Sequence, residues 1–200
     1  MAPTALILAG AGMLSDVVRD LVGHGWRVVV PSRRYAPVPA DGDIPPTGRA
    51  VWVEAHWDRP EELARRVAKT VDGEPIDLLV TWLHEAYREP VLEAVEPLLS
   101  PTAPAVEVQS MTEAAPVPIQ PSGRPTQYVF LGDVSAFDDT RPLGQAEIVA
   151  GVRAAVEQAL AGAPSARHEI GHRRPYPAIP RPRVHGIVGA MPRRPFSATG

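Results

Sequence analysis

The chain contains no cysteine and only one lysine, Lys69, among its 200 residues. Without cysteine it can form no disulfide, no thiolate nucleophile and no cysteine-based zinc site. Aromatic residues make up only 6%, and no apolar run approaches the roughly 20 residues that a membrane-spanning helix needs. Residues 1–4 also lack the charged segment that opens a signal peptide. These absences predict a cytoplasmic chain that does not enter a membrane.

Hydrophobic residues make up 44% of the chain, enough for one substantial core. The formal net charge of −3 argues against general nucleic-acid binding. This charge is uneven, because residues 165–200 hold seven arginines, six prolines and one glutamate. We therefore expect a folded domain over residues 1–164 and a basic, extended C-terminal segment over residues 165–200. That segment is expected to neutralise the acidic body as a strap or partly disordered tail, or to act as a lid that contacts phosphate.

Residues 5–34 show the pattern of a strand, a glycine turn, a helix and a second strand. Residues 5–9 form a short apolar run, and apolar residues then recur at helical spacing over residues 14–22. Residues 28–30 are consecutive valines, which are typical of a strand buried on both faces. The segment therefore predicts a parallel βαβ unit, the opening of a dinucleotide-binding fold.

Glycines occupy the predicted turn between that strand and helix. Gly10 lets the chain turn sharply, and Gly12 lets a pyrophosphate approach the backbone amides at the positive end of the helix. Ser15 stands where a third glycine is usual, so the fingerprint is GxGxxS. We interpret this turn as a nucleotide site; the alternative is a simple tight turn between strand and helix.

The end of the second strand bears on which nucleotide is bound. An NAD-preferring site usually has Asp or Glu there, which accepts hydrogen bonds from the ribose hydroxyls. This strand instead ends in Ser32, Arg33 and Arg34. A guanidinium offers a planar donor fork to a 2′-phosphate, and the Ser32 hydroxyl can assist it, so the sequence favours NADP(H) over NAD. The alternative is a solvated basic loop.

Strand and helix patterns alternate over the rest of the chain. Strands are expected at residues 50–55, 76–83, 105–109 and 128–131, and helices at residues 61–71, 90–99 and 143–161. Residues 184–188 are a candidate seventh strand. The alternation predicts an α/β fold, a Rossmann-like, doubly wound parallel sheet of six to seven strands in a three-layer αβα arrangement.

In such a sheet, ligands bind beyond the carboxyl ends of the strands, near the change in strand order. Asp58 follows the third strand, where it can hydrogen-bond an adenine amino group or cap the next helix. His84 and Tyr87 follow the fourth strand, and Ser110 ends the fifth. An imidazole or a phenol can deliver a proton, and a hydroxyl can orient a carbonyl or imine. The alternatives are that His84 packs the strand end, Tyr87 is a surface aromatic and Ser110 caps a turn.

No metal or serine-nucleophile motif accompanies these residues. His168 and His172 have i, i+4 spacing, but Gly171 between them disfavours a helical metal site. The chain also lacks a GxSxG elbow. We expect neither a metal ion nor a serine nucleophile.

Four segments resemble sequences of the short-chain dehydrogenase/reductase superfamily. They are AGAGML at residues 9–14, WDRPEEL at 57–63, DLLVTWLH at 77–84 and YVFLGDV at 128–134. Over residues 4–160 the chain is more closely similar to a short, atypical branch of small bacterial Rossmann proteins. The resemblance implies a nicotinamide dinucleotide and a small-molecule substrate, and Ser110 matches the position of the family's active-site serine. The chain departs from the family because it lacks the Tyr-x-x-x-Lys pair.

The predicted site combines these observations. Its catalytic candidates are His84, Tyr87 and Ser110, and its cofactor-binding candidates are Gly10, Gly12, Met13, Leu14, Ser15, Ser32, Arg33, Arg34 and Asp58. The leading hypothesis is NADP(H)-dependent reduction of a small carbonyl or imine, since a protonated iminium needs less acid assistance than a carbonyl. The alternatives are a non-catalytic nucleotide-binding sensor or partner subunit, and a Rossmann scaffold reused for non-redox cyclisation or dehydration. Assembly as a homodimer is left open.

Overall fold

The computed structural model describes residues 2–9, 11–35, 47–111 and 123–174 of the chain. Its strands are β1 (Thr4–Leu8), β2 (Arg27–Ser32), β3 (Arg49–Glu54), β4 (Leu78–Thr81), β5 (Ala105–Ser110), β6 (Thr126–Leu131) and β7 (Ala166–Ile170). They form one sheet in the order β3-β2-β1-β4-β5-β6-β7, and every neighbouring pair is parallel. The predicted doubly wound parallel sheet is confirmed.

Within the described residues, four α-helices cover the two faces of this sheet. They are α1 (Ser15–Gly23), α2 (Pro60–Val71), α3 (Glu85–Val95) and α4 (Gln145–Leu160). The helices α1 and α4 share one hydrophobic core with the sheet, and α2 and α3 share the core on the opposite face. The result is the three-layer αβα arrangement that the alternating pattern predicted.

The apolar strands explain why there are two cores. Ile7 and Val28 belong to the core under α1, whereas their chain neighbours Leu6 and Val29 belong to the opposite core. Successive side chains of a strand point to opposite faces, so a continuous apolar strand is buried on both sides. Each fully buried side chain of this kind contributes about 1.5–3 kcal/mol to stability. The inner strands are therefore a rigid base for the loops at their ends.

Helix α3 begins earlier than the sequence indicated. Proline is favoured in a first helical turn, which suggested a start at Pro90, but the helix starts at Glu85 and contains Pro90. His84 supplies the cap, because its Nδ1 accepts a hydrogen bond from the Ala86 N–H at 3.2 Å. Proline within a helix leaves the carbonyl four residues earlier without its partner. That carbonyl belongs to Ala86, which is exposed, so water can satisfy it.

The seventh strand of the described sheet was not predicted. Strand β7 is Ala166–Ile170, and it pairs with β6 over its whole length. The arginine and proline content predicts that its residues, ARHEI, belong to the basic C-terminal segment, whereas in the sheet half-buried and exposed residues alternate along them, as in an edge strand. The sheet therefore continues past residue 164, and the predicted domain boundary there is too early. The strand predicted at residues 184–188 lies outside the described residues.

The strand order reverses at β1, which has β2 on one side and β4 on the other. A crevice for ligands opens beyond the carboxyl ends of the strands at such a point. The strand register aligns these carboxyl ends across the sheet, since Leu8 pairs with Thr81 and Thr81 pairs with Glu107. Residues that follow these strand ends therefore share one edge, which we call the carboxyl edge.

Candidate functional site

The turn after β1 leads directly into the first turn of α1. Leu14 is the N-cap of this helix, and no side chain caps it. The Ser15 N–H donates to the Gly12 carbonyl at 3.0 Å, whereas the N–H groups of Asp16 and Val17 have no acceptor in the described part of the chain. Unpartnered amides at the positive end of a helix dipole attract an anion. This is the geometry that binds a pyrophosphate at a helix N-terminus.

Backbone strain precedes the turn. Ala9, the residue after β1, has a φ of 76°. The left-handed region disfavours a residue with a Cβ by about 1–2 kcal/mol, and such strain concentrates at ligand-binding sites. Gly10, the next residue, lies outside the described residues, so its role in the turn stays a prediction.

Gly12 faces open space. A Cβ built at Gly12 would meet no atom within 4 Å, so packing within the protein does not require a glycine there. Met13 is 39% exposed, whereas Leu14 is fully buried and anchors the turn in the core instead of facing a ligand. The Asp16 carboxylate, which would repel an anion, is paired with Arg19 at 2.8 Å. The turn therefore fits the phosphates of a dinucleotide.

Ser32 shapes the turn that carries the two arginines. Its hydroxyl donates to the Arg34 carbonyl at 2.5 Å and accepts a hydrogen bond from the Trp52 indole Nε1–H at 2.9 Å. Trp52 belongs to β3, and the Tyr35 ring meets its ring edge-on with centroids 5.5 Å apart. The Ser32 proton is thus used within the protein. Ser32 orders the turn and does not donate its proton to a phosphate in this conformation.

Arg33 and Arg34 are exposed at the end of β2, and neither guanidinium has a partner among the described residues. The acid next to them in the sheet is Glu54, which pairs in register with Ser32. Its carboxylate is already bonded to Arg66 at 3.0 Å. Within the described part of the chain, these two cations therefore stand beside the crevice without counter-charges, as a 2′-phosphate site requires.

Asp58 lies in the turn between β3 and α2, where it is exposed. The N-cap of α2 is Arg59, and no side chain caps that helix. The capping alternative for Asp58 is therefore not realised. Its contact with an adenine amino group stays a prediction.

His84 caps α3, and the cap determines its tautomer. Because Nδ1 accepts from the Ala86 N–H, the neutral ring carries its proton on Nε2. The Tyr87 ring lies at an angle of 59° to the imidazole, with ring centroids 6.3 Å apart. Tyr87 is 39% exposed. An imidazole N–H and a phenol thus stand together as donors beyond the end of β4.

Ser110, the last residue of β5, is exposed at the same edge. Thr81 pairs with Glu107, and His84 and Ser110 each lie three residues further along their chains. No hydrogen bond of the Ser110 hydroxyl exists within the described residues, so the turn-capping alternative is not realised. The Arg173 guanidinium, which follows β7, donates to the carbonyl of Met111 and so brings a cation beside Ser110.

The half-buried Glu107 precedes this site on β5. Burial raises the pKa of its carboxyl above the ordinary value of 4.5, against the opposing effects of the Arg88 charge and a hydrogen bond from Gln109. The Gln109 amide lies 3.5 Å from the Glu107 carboxylate. An ionised Glu107 is therefore an unfavourable group in the middle of the sheet.

The loop after β6 is held at the carboxyl edge by buried Ser135. The Ser135 hydroxyl donates to Glu147 at 2.6 Å and accepts from Arg141 at 2.8 Å and from the Phe137 N–H at 3.1 Å. The hydrogen bond from Ser135 is the main reason why the pKa of Glu147 lies below its ordinary value. The network fixes a loop whose Phe137 side chain is 86% exposed.

The only lysine of the chain lies at the other edge of the sheet. Helix α2 runs back from the carboxyl edge, and near its end the Thr70 carbonyl accepts from Arg27, the first residue of β2. Lys69 is exposed in this last helical turn. It is therefore too far from Tyr87 and Ser110 to act with either.

Two further observations concern cofactors and membranes. Among the described residues, no group of three or more His, Asp or Glu side chains could hold a metal ion. No helix in this part of the chain is long and apolar enough to cross a bilayer.

Solved structures of oxidoreductases share this arrangement. A short-chain dehydrogenase/reductase from Serratia marcescens matches with a TM-score of 0.61 at 14% identity, covering 86% of this chain and 97% of that one. An NADH-dependent reductase complexed with NAD matches with a TM-score of 0.58 at 14% identity, covering 88% and 98%. A 3-oxoacyl-[acyl-carrier protein] reductase from Brucella melitensis matches with a TM-score of 0.55 at 13% identity, covering 86% and 96%. No protein-family profile matches the chain, and no curated protein does.

The chain shares its fold with a solved short-chain dehydrogenase/reductase structure. The resemblance seen in the sequence is confirmed at the level of the fold. At identities of 13–14%, the likeness concerns the path of the chain, so the roles of individual residues rest on the geometry of this protein.

Sequence reasoning missed two residues of this edge. Trp52 reaches Ser32 because the β2–β3 register pairs Trp52 with Val30, two residues before Ser32 on the same face. Arg173 reaches Met111 because β7 joins the sheet next to β6. Neither register is visible in a single sequence. The only signal in the sequence for the first contact is the Trp52 indole, a donor on the strand that follows the turn containing Ser32.

Proposed function

We propose that this chain binds NADP(H) at the carboxyl edge of its sheet and reduces a small carbonyl or imine. One observation carries the proposal: two sets of unpartnered donors occupy the same edge. Among the described residues, the N–H groups of Asp16 and Val17 in the first turn of α1 have no acceptor, a Cβ at Gly12 would meet open space, and the guanidiniums of Arg33 and Arg34 have no counter-charges. The first set suits a pyrophosphate and the second a 2′-phosphate.

The choice of a nicotinamide dinucleotide is supported by the fold. One solved reductase with this fold is complexed with NAD. The preference for NADP(H) over NAD rests on Arg33 and Arg34. A carboxylate at the end of β2 would favour NAD instead, and no free carboxylate ends β2 or β3 among the described residues. Glu54, the one acid at that position, is bonded to Arg66.

The residues beyond β4 and β5 supply hydrogen bonds to the substrate. The bound nicotinamide would provide a hydride. His84 Nε2–H, the Tyr87 phenol and the Ser110 hydroxyl are then the groups that hold the substrate oxygen or nitrogen and pass it a proton from solvent. A carbonyl needs that proton as the hydride arrives, whereas an iminium already carries positive charge. The imine is therefore the substrate that this set of residues serves best.

A second candidate function is dinucleotide binding without turnover. It is favoured by the position of Lys69 at the opposite edge and by the use of His84 as a helix cap. Neither observation affects the phosphate-binding elements. A sensor or a partner subunit would retain the β1–α1 turn and the two arginines and have no need of an activated tyrosine.

Cofactor consumption separates the two functions. Purified protein is titrated with NADPH and NADH by fluorescence, and absorbance at the nicotinamide band is then followed with a panel of aldehydes, ketones and cyclic imines. The proposal predicts tighter binding of NADPH than NADH and measurable reduction of at least one cyclic imine. Binding without turnover over the whole panel would favour the second function, and absence of binding would exclude both.

A further inference from the structure

A second basic site lies at the amino edge of the sheet, where the strands begin. A cavity of about 370 Å³ opens there, lined by Ala2, Arg27, Thr47, Gly48, Arg49 and Glu74. Arg27 and Arg49 are the first residues of β2 and β3. The length of β2, about 3.3 Å per residue, separates this cavity from the proposed dinucleotide site by roughly 17 Å. The two sites are therefore independent.

The backbone forces the two arginines together. Arg27 and Arg49 pair in register on neighbouring strands, so their side chains leave the same face of the sheet. The Arg49 N–H donates to the Trp26 carbonyl at 3.0 Å. A Cβ at Gly48 would lie 2.2 Å from that carbonyl oxygen, so only glycine permits this approach. Like charges placed directly opposite each other in this way destabilise a sheet unless a counter-charge is present.

Arg27 has one guanidinium donor that is unused within the part of the chain that the structure describes. Its guanidinium donates to the Thr70 carbonyl, and a second nitrogen lies 3.3 Å from the Glu74 carboxylate. Its side chain is only 16% exposed, and its buried Nε–H has no acceptor among residues 2–9, 11–35, 47–111 and 123–174. A buried donor without a partner is unfavourable, and such groups are rare in folded proteins.

The charge of the cavity lining is not balanced. Glu74 is the only acid among the lining residues in the described part of the chain, against two arginines. Its side chain is 36% exposed, which weakens its effect on Arg27. Arg49 has no ion-pair or hydrogen-bond partner for its guanidinium within the described residues. The cavity therefore offers positive charge and free planar donors to an anion.

We propose that this cavity binds a small molecule carrying phosphate or carboxylate groups, held between Arg27 and Arg49. Two guanidiniums on adjacent strands match the paired oxygens of either group. The other interpretation is that Arg27 only stabilises the C-terminal end of α2 and that Arg49 is solvated. The two interpretations predict opposite effects for Glu74, which competes with a ligand in the first and supports Arg27 in the second.

Titration calorimetry on the full chain tests the proposal, with inorganic phosphate and citrate as separate probes at constant ionic strength. Each titration is repeated with NADPH present, which separates this cavity from the carboxyl edge. We expect saturable binding of at least one probe with a Kd of about 1 mM or tighter. Saturation by phosphate would indicate a phosphate-bearing ligand, and saturation by citrate alone a polycarboxylate.

Three variants make the test specific. Arg49→Ala is expected to weaken binding about tenfold, because it removes one charge-assisted contact. Arg65→Ala removes the same charge from the exposed side of α2 and is expected to leave this binding unchanged. Glu74→Gln is expected to tighten binding about threefold, because it removes the competing carboxylate.

The proposal is overturned by any of three results. The first is the absence of saturable heat with both probes. The second is equal weakening by Arg49→Ala and Arg65→Ala, which would indicate a general effect of net charge. The third is weaker binding in Glu74→Gln in a protein whose melting temperature is unchanged.

Discussion

The two halves of the carboxyl edge differ in what their polar groups are free to do. Around β1–β3, the first amides of α1 and the guanidiniums of Arg33 and Arg34 have no partners within the described residues. Around β4–β6, His84 is engaged in a helix cap and Arg173 in a bond to the Met111 carbonyl. The groups that we propose for phosphate binding are therefore free to act within the described part of the chain, whereas His84, which we propose as a proton donor, is already engaged through one ring nitrogen.

Gly12→Val would block the proposed pyrophosphate site in the β1–β3 half, and we expect it to have the largest effect on NADPH binding. The added side chain points into open space, so folding should be preserved while a pyrophosphate is excluded. We expect NADPH binding to weaken by at least about a hundredfold in calorimetry. Gly23→Val is the matched control, because a Cβ there also meets no atom within 4 Å. Equal binding by the two variants would remove the turn from the site.

His84→Asn tests the β4–β6 half. Asparagine is itself a good N-cap, so α3 and the melting temperature should be preserved while the imidazole is lost. We expect turnover of carbonyl substrates to fall about a hundredfold, turnover of cyclic imines to fall less, and NADPH affinity to stay constant. Unchanged kinetics with both substrate classes would show that His84 is only a cap.

Arg33→Ala tests the proposed 2′-phosphate contact within the β1–β3 half. Loss of one charge-assisted contact to a 2′-phosphate should weaken NADPH binding about tenfold and leave NADH binding unchanged. Paired titrations with the two dinucleotides measure this ratio. A similar loss for both would contradict the 2′-phosphate assignment.

Trp52→Phe should act on the same ratio more weakly. Phenylalanine keeps an aromatic ring against Tyr35 but cannot donate to Ser32, so the turn carrying the arginines is less well ordered. We expect NADPH affinity to fall about threefold with no change for NADH. Combining this change with Arg33→Ala tests the coupling. Strictly additive effects would mean that Trp52 does not position the arginine turn.

Glu107→Gln gives the smallest effect, on stability alone. A carboxyl whose pKa is raised by folding stabilises the protein when protonated, and this contribution is lost as the pH rises through the raised pKa. The variant should therefore melt about 2 °C or more above the parent at neutral pH, with the difference vanishing below pH 4.5. The exposed Glu93→Gln is the control, and a pH-independent difference for Glu107→Gln would contradict the assignment.

The sequence was sufficient to predict most of the sheet, because apolar runs such as residues 28–30 leave little choice but a strand buried on both faces. It did not reveal β7, whose charged residues look like a tail until the edge of a sheet is there to pair with. It also misplaced the start of α3, because Pro90 normally indicates a helix start and here lies on the exposed side of a helix.

The candidate site likewise contains residues that the sequence predicts and contacts that it does not. The arginines at the end of β2 follow from chain order alone, since they come directly after the strand. The Trp52–Ser32 hydrogen bond and the Arg27–Arg49 pair depend on which residues face each other across strands. A one-residue change in register would separate both pairs, and the linear sequence carries no direct record of register.

The central claim is that the β1–α1 turn and the arginines after β2 bind a phosphorylated dinucleotide. The most direct measurement is calorimetric titration of the parent protein with NADPH and with NADH under the same conditions. The account predicts saturable binding of both, with NADPH about tenfold tighter. Absence of heat with either dinucleotide, or equal affinity for the two, would contradict it.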